Sequence, residues 1–321
     1  MDYRIKPLTA EDVEYIDDKL NESLLLHAAI KHTTIEEEIV LKAENAEGKL
    51  IGGSILEFGG TTVARMLLSI LWVDEHYRRK GIGSMLIRES ERIARERGCG
   101  ISCLCTLDFQ APDLYKRHGY SVYAVYDDRP RRHSVLYMTK RLDDDNTLYL
   151  SKKNGTKECF TIELGIEDDA KTIARGLKQH DDLFAPSMHE TIPLNKKLVD
   201  ENGRMMAGIV AGVDGWDGCY IASLYVEQAY RNRGLGSLLL HEVEREAREK
   251  GAYMLIANAF DWNVGFFKKN GCAEAGVLKI DPNGHNSYEL VKRLSEGVRR
   301  SCSAGGEILD GVSWQGCHPG K

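Results

Sequence analysis

An α/β (α+β) fold written twice in tandem is what this 321-residue sequence predicts, and three observations carry that expectation. The stretch YRRKGIGS, Tyr77–Ser84, recurs as YRNRGLGS at Tyr230–Ser237. From Val73 and Val226 the two registers hold through Gly98 and Gly251 with about half the positions identical, and self-similarity at a fixed period marks a repeated structural unit. The repeat extends both ways: EGKLIGG (47–53) matches NGRMMAG (202–208), LYKRHGY (114–120) matches FFKKNGC (266–272), and His133–Leu142 matches His285–Leu294, each ending KRL. The offset drifts by only a few residues, so the gaps fall in loops. Within each copy, apolar runs of strand length alternate with amphipathic stretches of helix length, the pattern of α/β and α+β folds.

Each copy opens on a short strand, Tyr3–Lys6 and Phe160–Leu164, leading into a helix with acidic first turns, TAEDVEYIDDKL and IEDDAKTIARGL. A hairpin follows, turning at ENAEGK and DENGR. An apolar strand, ARMLLSILWV or CYIASLYV, runs into the glycine turn, and a long amphipathic helix leaves it, from Gly83 to near Arg97 and from Gly236 to near Lys250. Next come a fully apolar strand (ISCLCT; YMLIAN), a short helix carrying LYKRHGY or FFKKNGC, and a final strand pair. These signals divide the chain into a first domain at 1–142, a polar, acidic linker at 143–157 and a second domain at 158–295. A Gly/Ser-rich stretch without periodicity, 296–321, reads as a loose tail.

The length suits two domains, each able to bury a core without disulfides or metals. A hydrophobic fraction of 42% and a charged fraction of 29% are those of a soluble globular protein. No apolar run approaches the roughly 18 residues that span a bilayer, so no membrane partner is expected. The opening MDYRIKPLTAEDVEYI has neither a signal-peptide core nor an Arg-rich transit pattern, and a cytoplasmic location is expected. A net charge of −6 argues against nucleic acid and suits a cationic small molecule. The basic cluster RPRRH (129–133) lacks interleaved aromatics and reads as a solvated turn. Cys103 and Cys105 share a sheet face, nothing reads CxxC, and Cys317 beside His318 makes no site, so reduced thiols and no metal are expected.

The glycine turn carries the chemistry. A Walker loop needs G-x-x-x-x-G-K-[ST], which neither copy has. A dinucleotide fingerprint needs a third small residue where Leu86 and Leu239 stand. What remains is R-x-x-G-x-G directly after a buried strand and before a long helix. Gly81 and Gly83 let the backbone turn tightly and aim consecutive N–H groups at one point, and the dipole of the following helix favours an anion there. Arg78, Arg79 and Lys80 add cationic reach, as do Arg231 and Arg233 beside Gly234, Gly236 and Ser237. A pyrophosphate is the expected guest, twice.

Strand–[RQ]-x-x-G-x-[GA]–helix resembles the cofactor motif of the GNAT superfamily of acetyl-CoA-dependent N-acetyltransferases, and YKRHGY in the last short helix is similar too. The order of elements matches over nearly all of 1–142 and 158–294. The resemblance implies a mixed, mostly antiparallel sheet flanked by helices in each copy, with acetyl-CoA as donor. Backbone N–H groups from Lys80 through Gly81, Ile82 and Gly83 to Ser84 would hold its pyrophosphate. The strand ending at Val73 would splay from the next and pair its backbone with the pantetheine, and a strand N–H would stabilise the oxyanion. A tyrosine of the last helix commonly protonates the departing sulfur, and Tyr115 falls at that position; Phe267 stands there in the second copy and has no proton to give. The first copy is therefore expected to work, and the second to be degenerate or structural. Many relatives carry a glutamate in the strand before the turn; here neither strand has a carboxylate, and Ser69 is no base unaided. Glu57, Asp108 and His27 are the candidate bases, with a water relay or an amine bound already neutral as the alternatives. His133 and His285 recur before the last strand, as turn holders or as substrate-site residues.

The expected reaction is direct transfer of an acetyl group to a primary amine of a small molecule, with aminoglycoside-like, streptothricin-like, polyamine or amino-acid-derived acceptors all open. A similar tandem arrangement occurs in mycothiol synthase, which would shift the burden to the second copy. A non-catalytic acyl-CoA-binding or scaffolding protein is the other class. Oligomeric state is not legible, and a homodimer is admitted as a partner.

Overall fold

A computed structural model describes residues 3–28, 37–59, 65–143, 160–279 and 285–294. The expected linker, except Asp143, and the expected tail lie outside the described residues. The first copy contributes β1 (Arg4–Pro7), α1 (Ala10–Ala28), β2 (Glu37–Asn45), β3 (Leu50–Gly59), β4 (Arg65–Val73), α2 (Ile82–Glu96), β5 (Ile101–Leu107), α3 (Pro112–Arg117), β6 (Ser121–Asp127) and β7 (Ser134–Arg141). The second contributes β8 (Phe160–Leu164), α4 (Glu167–Asp181), β9 (Ile192–Pro193), β10 (Lys196–Val199), β11 (Met205–Val213), β12 (Gly218–Val226), α5 (Leu235–Glu249), β13 (Met254–Phe260), α6 (Val264–Lys269), β14 (Ala273–Lys279) and β15 (Asn286–Arg293). These elements follow the predicted order.

The strands join in one sheet, ordered β1-β10-β11-β12-β13-β15-β14-β6-β7-β5-β4-β3-β2-β8, with β9 pairing β11 off that path. Only β4 with β5 and β12 with β13 run parallel; the other described pairs are antiparallel. Helices α2 and α5 lie on their own copies because their apolar residues recur on one face: Ile82, Leu86, Ile93 and Ala94 in one, Leu235, Leu239, Val243 and Ala247 in the other, all buried. The same face of each carries a buried glutamate, Glu91 and Glu244, which accepts from Lys140 Nζ at 2.8 Å and from Lys292 Nζ at 2.6 Å. The repeated KRL is thus a pair of buried ion pairs tying the long helix to the last strand.

The opening strand and helix of each copy are built into the other copy. β1 pairs β10, and α1 packs on β11 and β12. Reciprocally, β8 pairs β2, and α4 packs on β2, β3 and β4. Two isoleucines at equivalent positions drive the docking: Ile16 and Ile173 are both fully buried, each contributing about 1.5–3 kcal/mol of apolar burial. They fit because the facing strand residue is glycine. A Cβ on Gly208 would lie 2.4 Å from Ile16 Cδ1, and one on Gly53 would lie 2.2 Å from Ile173 Cδ1.

The basic cluster RPRRH departs from the expected solvated turn. Arg129 is buried and ion-paired with Asp214 of the second copy, and Arg131 lies over the Tyr253 ring at 4.1 Å. Tyr253 Oη donates to the Asp128 carbonyl at 2.7 Å, so this turn fastens the two halves. Its cations face the other copy because β6 and β14 are neighbours in the sheet. Cys99, Cys103, Cys105, Cys219 and Cys272 are free thiols. Among the described residues no helix is long and apolar enough to cross a membrane, and no cluster of side chains suits a metal ion.

Candidate active site

A cavity of about 2280 Å³ opens along one face of the sheet and is lined by both halves. It takes its shape from two clefts of identical plan. The parallel ladder between β4 and β5 ends at Leu67 and Cys103, although the strands continue to Val73 and Leu107. The ladder between β12 and β13 ends at Ile221 and Ala257, while those strands run on to Val226 and Phe260. Each pair therefore splays, as expected for the strand ending at Val73. Next to each splay the strand bulges: Ser69 is the extra residue between Leu68 and Ile70 in β4, and Ala222 between Ile221 and Ser223 in β12. A bulge re-aims backbone and side chain, and here both bulge residues line the cavity.

The glycine turns close the clefts. Gly81 (φ 88°) and Gly234 (φ 80°) precede the first turns of α2 and α5 in the left-handed conformation that favours glycine. Two residues earlier, Arg79 (φ 62°) and Asn232 (φ 60°) take the same conformation, so each turn curls its N–H groups into a concave nest. Neither helix has an acidic residue in its first turn, and the N–H groups of Ile82, Gly83 and Ser84 precede the first intrahelical bond, Met85 N–H to Gly81 O at 3.0 Å. Gly81, Ile82, Gly83, Ser84, Arg78, Arg79 and Val73 line the cavity, as do Gly234, Gly236, Ser237 and Arg231.

The cations are used differently from the expectation. Arg78 Nε donates to the Val73 carbonyl at 3.0 Å, and Arg231 Nε donates to the Val226 carbonyl at 3.0 Å. Both clamp the turn to its strand. Lys80 lies over the Tyr77 ring at 5.0 Å and Arg233 over the Tyr230 ring at 5.6 Å, and neither lines the cavity. The repeat thus preserves two loop-shaping contacts and leaves Arg79 as the cation of the first turn that both lines the cavity and is not spent on the strand end. His118 Nε2 stands 2.9 Å from Ser84 Oγ, and burial lowers its pKa, so a neutral imidazole holds that hydroxyl at neutral pH.

Tyr115 lies on α3 and lines the first cleft at 8% exposure; Phe267 lies on α6 and lines the second at 5%. Burial, reinforced by neighbouring Cys105, raises the Tyr115 phenol well above its ordinary pKa, so the group keeps its proton at neutral pH. The candidate bases fall elsewhere. Glu57 is half-buried on β3 and does not line the cavity. Asp108 accepts from His133 Nδ1 at 2.9 Å and from the Ser134 N–H at 3.0 Å, also off the cavity. Its counterpart Asp261 accepts from the Asn286 N–H at 2.6 Å in the second copy. A carboxylate that secures the start of the last strand in both copies holds a turn, and His133 serves the same turn. The side chain of His27 lies outside the described residues.

Asp181, at the end of α4 and therefore from the second copy, is a carboxylate that lines the cavity and is hydrogen-bonded to the first copy. Gln110 Nε2 donates to its two oxygens at 2.8 and 2.9 Å. Gln110 is itself fixed, its carbonyl accepting from Thr106 Oγ1 and from the Leu107 N–H, both at 2.9 Å. Burial pushes the Asp181 carboxyl up to about 6 against the lowering effect of Gln110. No local signal in QHDD marks this residue, because its role depends on the exchange of opening helices.

Comparison with known proteins agrees with this architecture. The acetyltransferase (GNAT) domain model matches residues 36–122, and the acetyltransferase (GNAT) family model matches residues 157–272. The chain belongs to the GNAT acetyltransferase family. Blasticidin-S acetyltransferase of Streptomyces morookaense is 42% identical to this GNAT chain over 84 residues, 26% of this chain and 60% of that protein. YwnH of Bacillus subtilis (strain 168), provisionally assigned as a phosphinothricin acetyltransferase, is 32% identical over 107 residues, 30% of this chain and 66% of its own. The chain thus spans about three fifths to two thirds of the length of these curated relatives. The solved structure of an acetyltransferase from Bacillus cereus ATCC 14579 is 36% identical, covering 43% of this chain and 96% of that one with a TM-score of 0.39. Both GNAT matches include a glycine turn, so the tandem duplication is a duplication of the GNAT unit.

Proposed function

We propose that the chain transfers an acetyl group from acetyl-CoA directly to a primary amine of a small molecule, and that the first cleft does the work. One observation carries this reading: two clefts of the same backbone plan differ in their reactive side chains. The first presents Ser69, Thr106, Tyr115 and the Gln110–Asp181 pair. At the matching positions the second has Ala222, Ala259, Phe267 and Asn263. The relatives named for blasticidin S and phosphinothricin support a small-molecule acceptor.

Acetyl-CoA, when bound, supplies an activated acetyl thioester. The nest suits its pyrophosphate: Ile82, Gly83 and Ser84 offer N–H groups without intrahelical partners, no acidic side chain stands in that turn, and Arg79 is adjacent. The splayed edges of β4 and β5 leave strand N–H and C=O groups for an amide-bearing arm. Tyr115 holds a proton on Oη, kept there by burial, and is the general acid toward a departing thiolate. Asp181, ionised above pH 6 and oriented by Gln110, accepts the proton of an incoming ammonium group. The second nest keeps the same geometry, so it binds the same anion without the acid.

Incubation with acetyl-CoA and a panel of small amines, read by mass spectrometry, tests the reading. A chain that binds CoA yet acetylates no amine in the panel is a binding protein instead. Asp181 gives a second expected result. Its carboxyl pKa is raised in the folded chain, so ionisation there is penalised; the cost to stability is present above pH 6 and disappears as pH falls below about 4, the ordinary carboxylate value. Asp181→Asn should therefore raise the Tm at pH 8 and leave it unchanged at pH 4. The same variant should lower kcat/KM by about tenfold or more and remove the rising limb near pH 6. An unaltered pH–rate profile would assign the base elsewhere.

A further inference from the structure

We propose that the second half supplies an anionic anchor for the acceptor: Glu289 holds a second cationic group of a substrate that carries two basic groups. The proposal rests on the reading that the first cleft acetylates a small amine, and it names the class of that amine.

Glu289 lies on β15, 8% exposed, and lines the cavity between the clefts. Tyr126 Oη donates to Oε2 at 2.6 Å, and Asn258 Nδ2 donates to Oε1 at 3.0 Å. Asn258 is held in turn by Ser287, its Nδ2 donating to Oγ at 3.1 Å. Both donors to the carboxylate are neutral. Among the described residues no Lys, Arg or His stands within ion-pair distance of Glu289; Arg65 is the cation that acts on it from farther off, at the start of β4. Burial raises its pKa despite Arg65 and the two hydrogen bonds. A carboxylate kept in such a place costs stability unless a cation joins it.

The repeat shows that the fold does not need this carboxylate. YELVKRL (288–294) aligns with LYMTKRL (136–142), so Glu289 stands where the first copy has Tyr137. That tyrosine and Tyr123 line the same cavity, and their rings meet edge to face, with centroids 6.0 Å apart. Tyr126 meets Tyr137 likewise at 5.2 Å. Tyr123 and Cys103 of the first copy line the cavity together with Glu289, and both feel its charge. A carboxylate in a cavity that tyrosine rings also line offers a charge-assisted hydrogen bond and nearby π-systems to an ammonium or guanidinium group. An amine that stays bound to Glu289 as an ammonium has no lone pair with which to attack the thioester, so it is distinct from the amine that gives its proton to Asp181. The occupant therefore has a second basic group.

The test compares α,ω-diaminoalkanes of increasing length with monoamines of equal length, measuring affinity by calorimetry in the absence of acetyl donor. The native chain should bind at least one diamine about tenfold or more tighter than its monoamine, the range of a charge-assisted hydrogen bond. Glu289→Gln should abolish that ratio, and Tyr137→Leu, which leaves the carboxylate in place, should reduce it severalfold. No diamine preference in the native chain, or a preference that survives Glu289→Gln, overturns the proposal. The two readings fail separately: a diamine preference without acetylation of any amine removes the activity and keeps the anchor, whereas acetylation without that preference removes the anchor alone.

Discussion

Tyr115→Phe should lower kcat for amine acetylation by about a hundredfold or more, the usual contribution of a positioned general acid, with little change in the KM for acetyl-CoA. The substitution removes one oxygen and keeps the ring. The second copy shows that a phenyl ring packs in this environment, because Phe267 occupies the matching place at 5% exposure. Loss of the fold is therefore not the expected cause of any loss of rate. The nest and the splayed strands are untouched, which is why donor binding should persist. Release of free CoA thiol during steady-state turnover is the readout, and a variant with native kcat would sink the first-cleft mechanism. The reciprocal change, Phe267→Tyr, should not create a second active cleft, since Ala222 and Asn263 stand where the first has Ser69 and Gln110.

Gly208→Ala should destabilise the chain by about 2–3 kcal/mol, the cost of forcing a methyl group into an occupied site. The added Cβ would lie 2.4 Å from Ile16 Cδ1, and its next neighbours, Ile16 Cγ1 and Leu8 Cδ2, are 3.3 and 3.5 Å away. Nearly all the clash is with one methyl group that Ile16→Val deletes. That second change alone should cost about 1 kcal/mol. The double variant should then be more stable than the sum of the singles predicts by about 1–2 kcal/mol. Denaturant midpoints measure the coupling, and Gly53 provides the control. In a chain whose opening helix packed on its own copy, Ile16 would couple to Gly53. Coupling of that pair, with none between Ile16 and Gly208, would contradict the exchange. The matching pair Gly53 and Ile173 should be rescued less completely, because a Cβ on Gly53 would also lie 2.5 Å from the Leu41 carbonyl, which is backbone.

These two experiments separate what could be read in the chain from what could not. The nest was legible because its causes are local: a left-handed position needs glycine, and a helix start needs an anion or a cap, so Gly81 and Gly234 declare themselves. Tyr115 stood out in the sequence because the second copy sets Phe267 beside it, and the structure puts both rings on the cavity wall. The contacts of the cations were not legible because sequence shows charge and not direction. Arg78 and Arg231 turn back to the strand end, and Lys80 and Arg233 lie on tyrosine rings. Glu57 and Asp108 were plausible only by nearness in the chain to cleft-forming strands; a strand sends alternate side chains to opposite faces, and a turn carboxylate has N–H groups to satisfy.

By itself the sequence determined the duplicated unit, its order of strands and helices, and the turn YRRKGIGS with its echo, since periodicity and glycine conformations are properties of short segments. Only the tertiary structure decided which half receives each opening strand and helix. A short strand and an amphipathic helix bury the same apolar face on either of two homologous sheets, and local residues do not distinguish them. That choice carries Asp181 from the second copy into the first cleft, and the pairing of β6 with β14 joins the two sheets so that Glu289 lines the same cavity. The walls of the cavity are thus in part a consequence of long-range docking, in which Ile16 finds Gly208 and Ile173 finds Gly53.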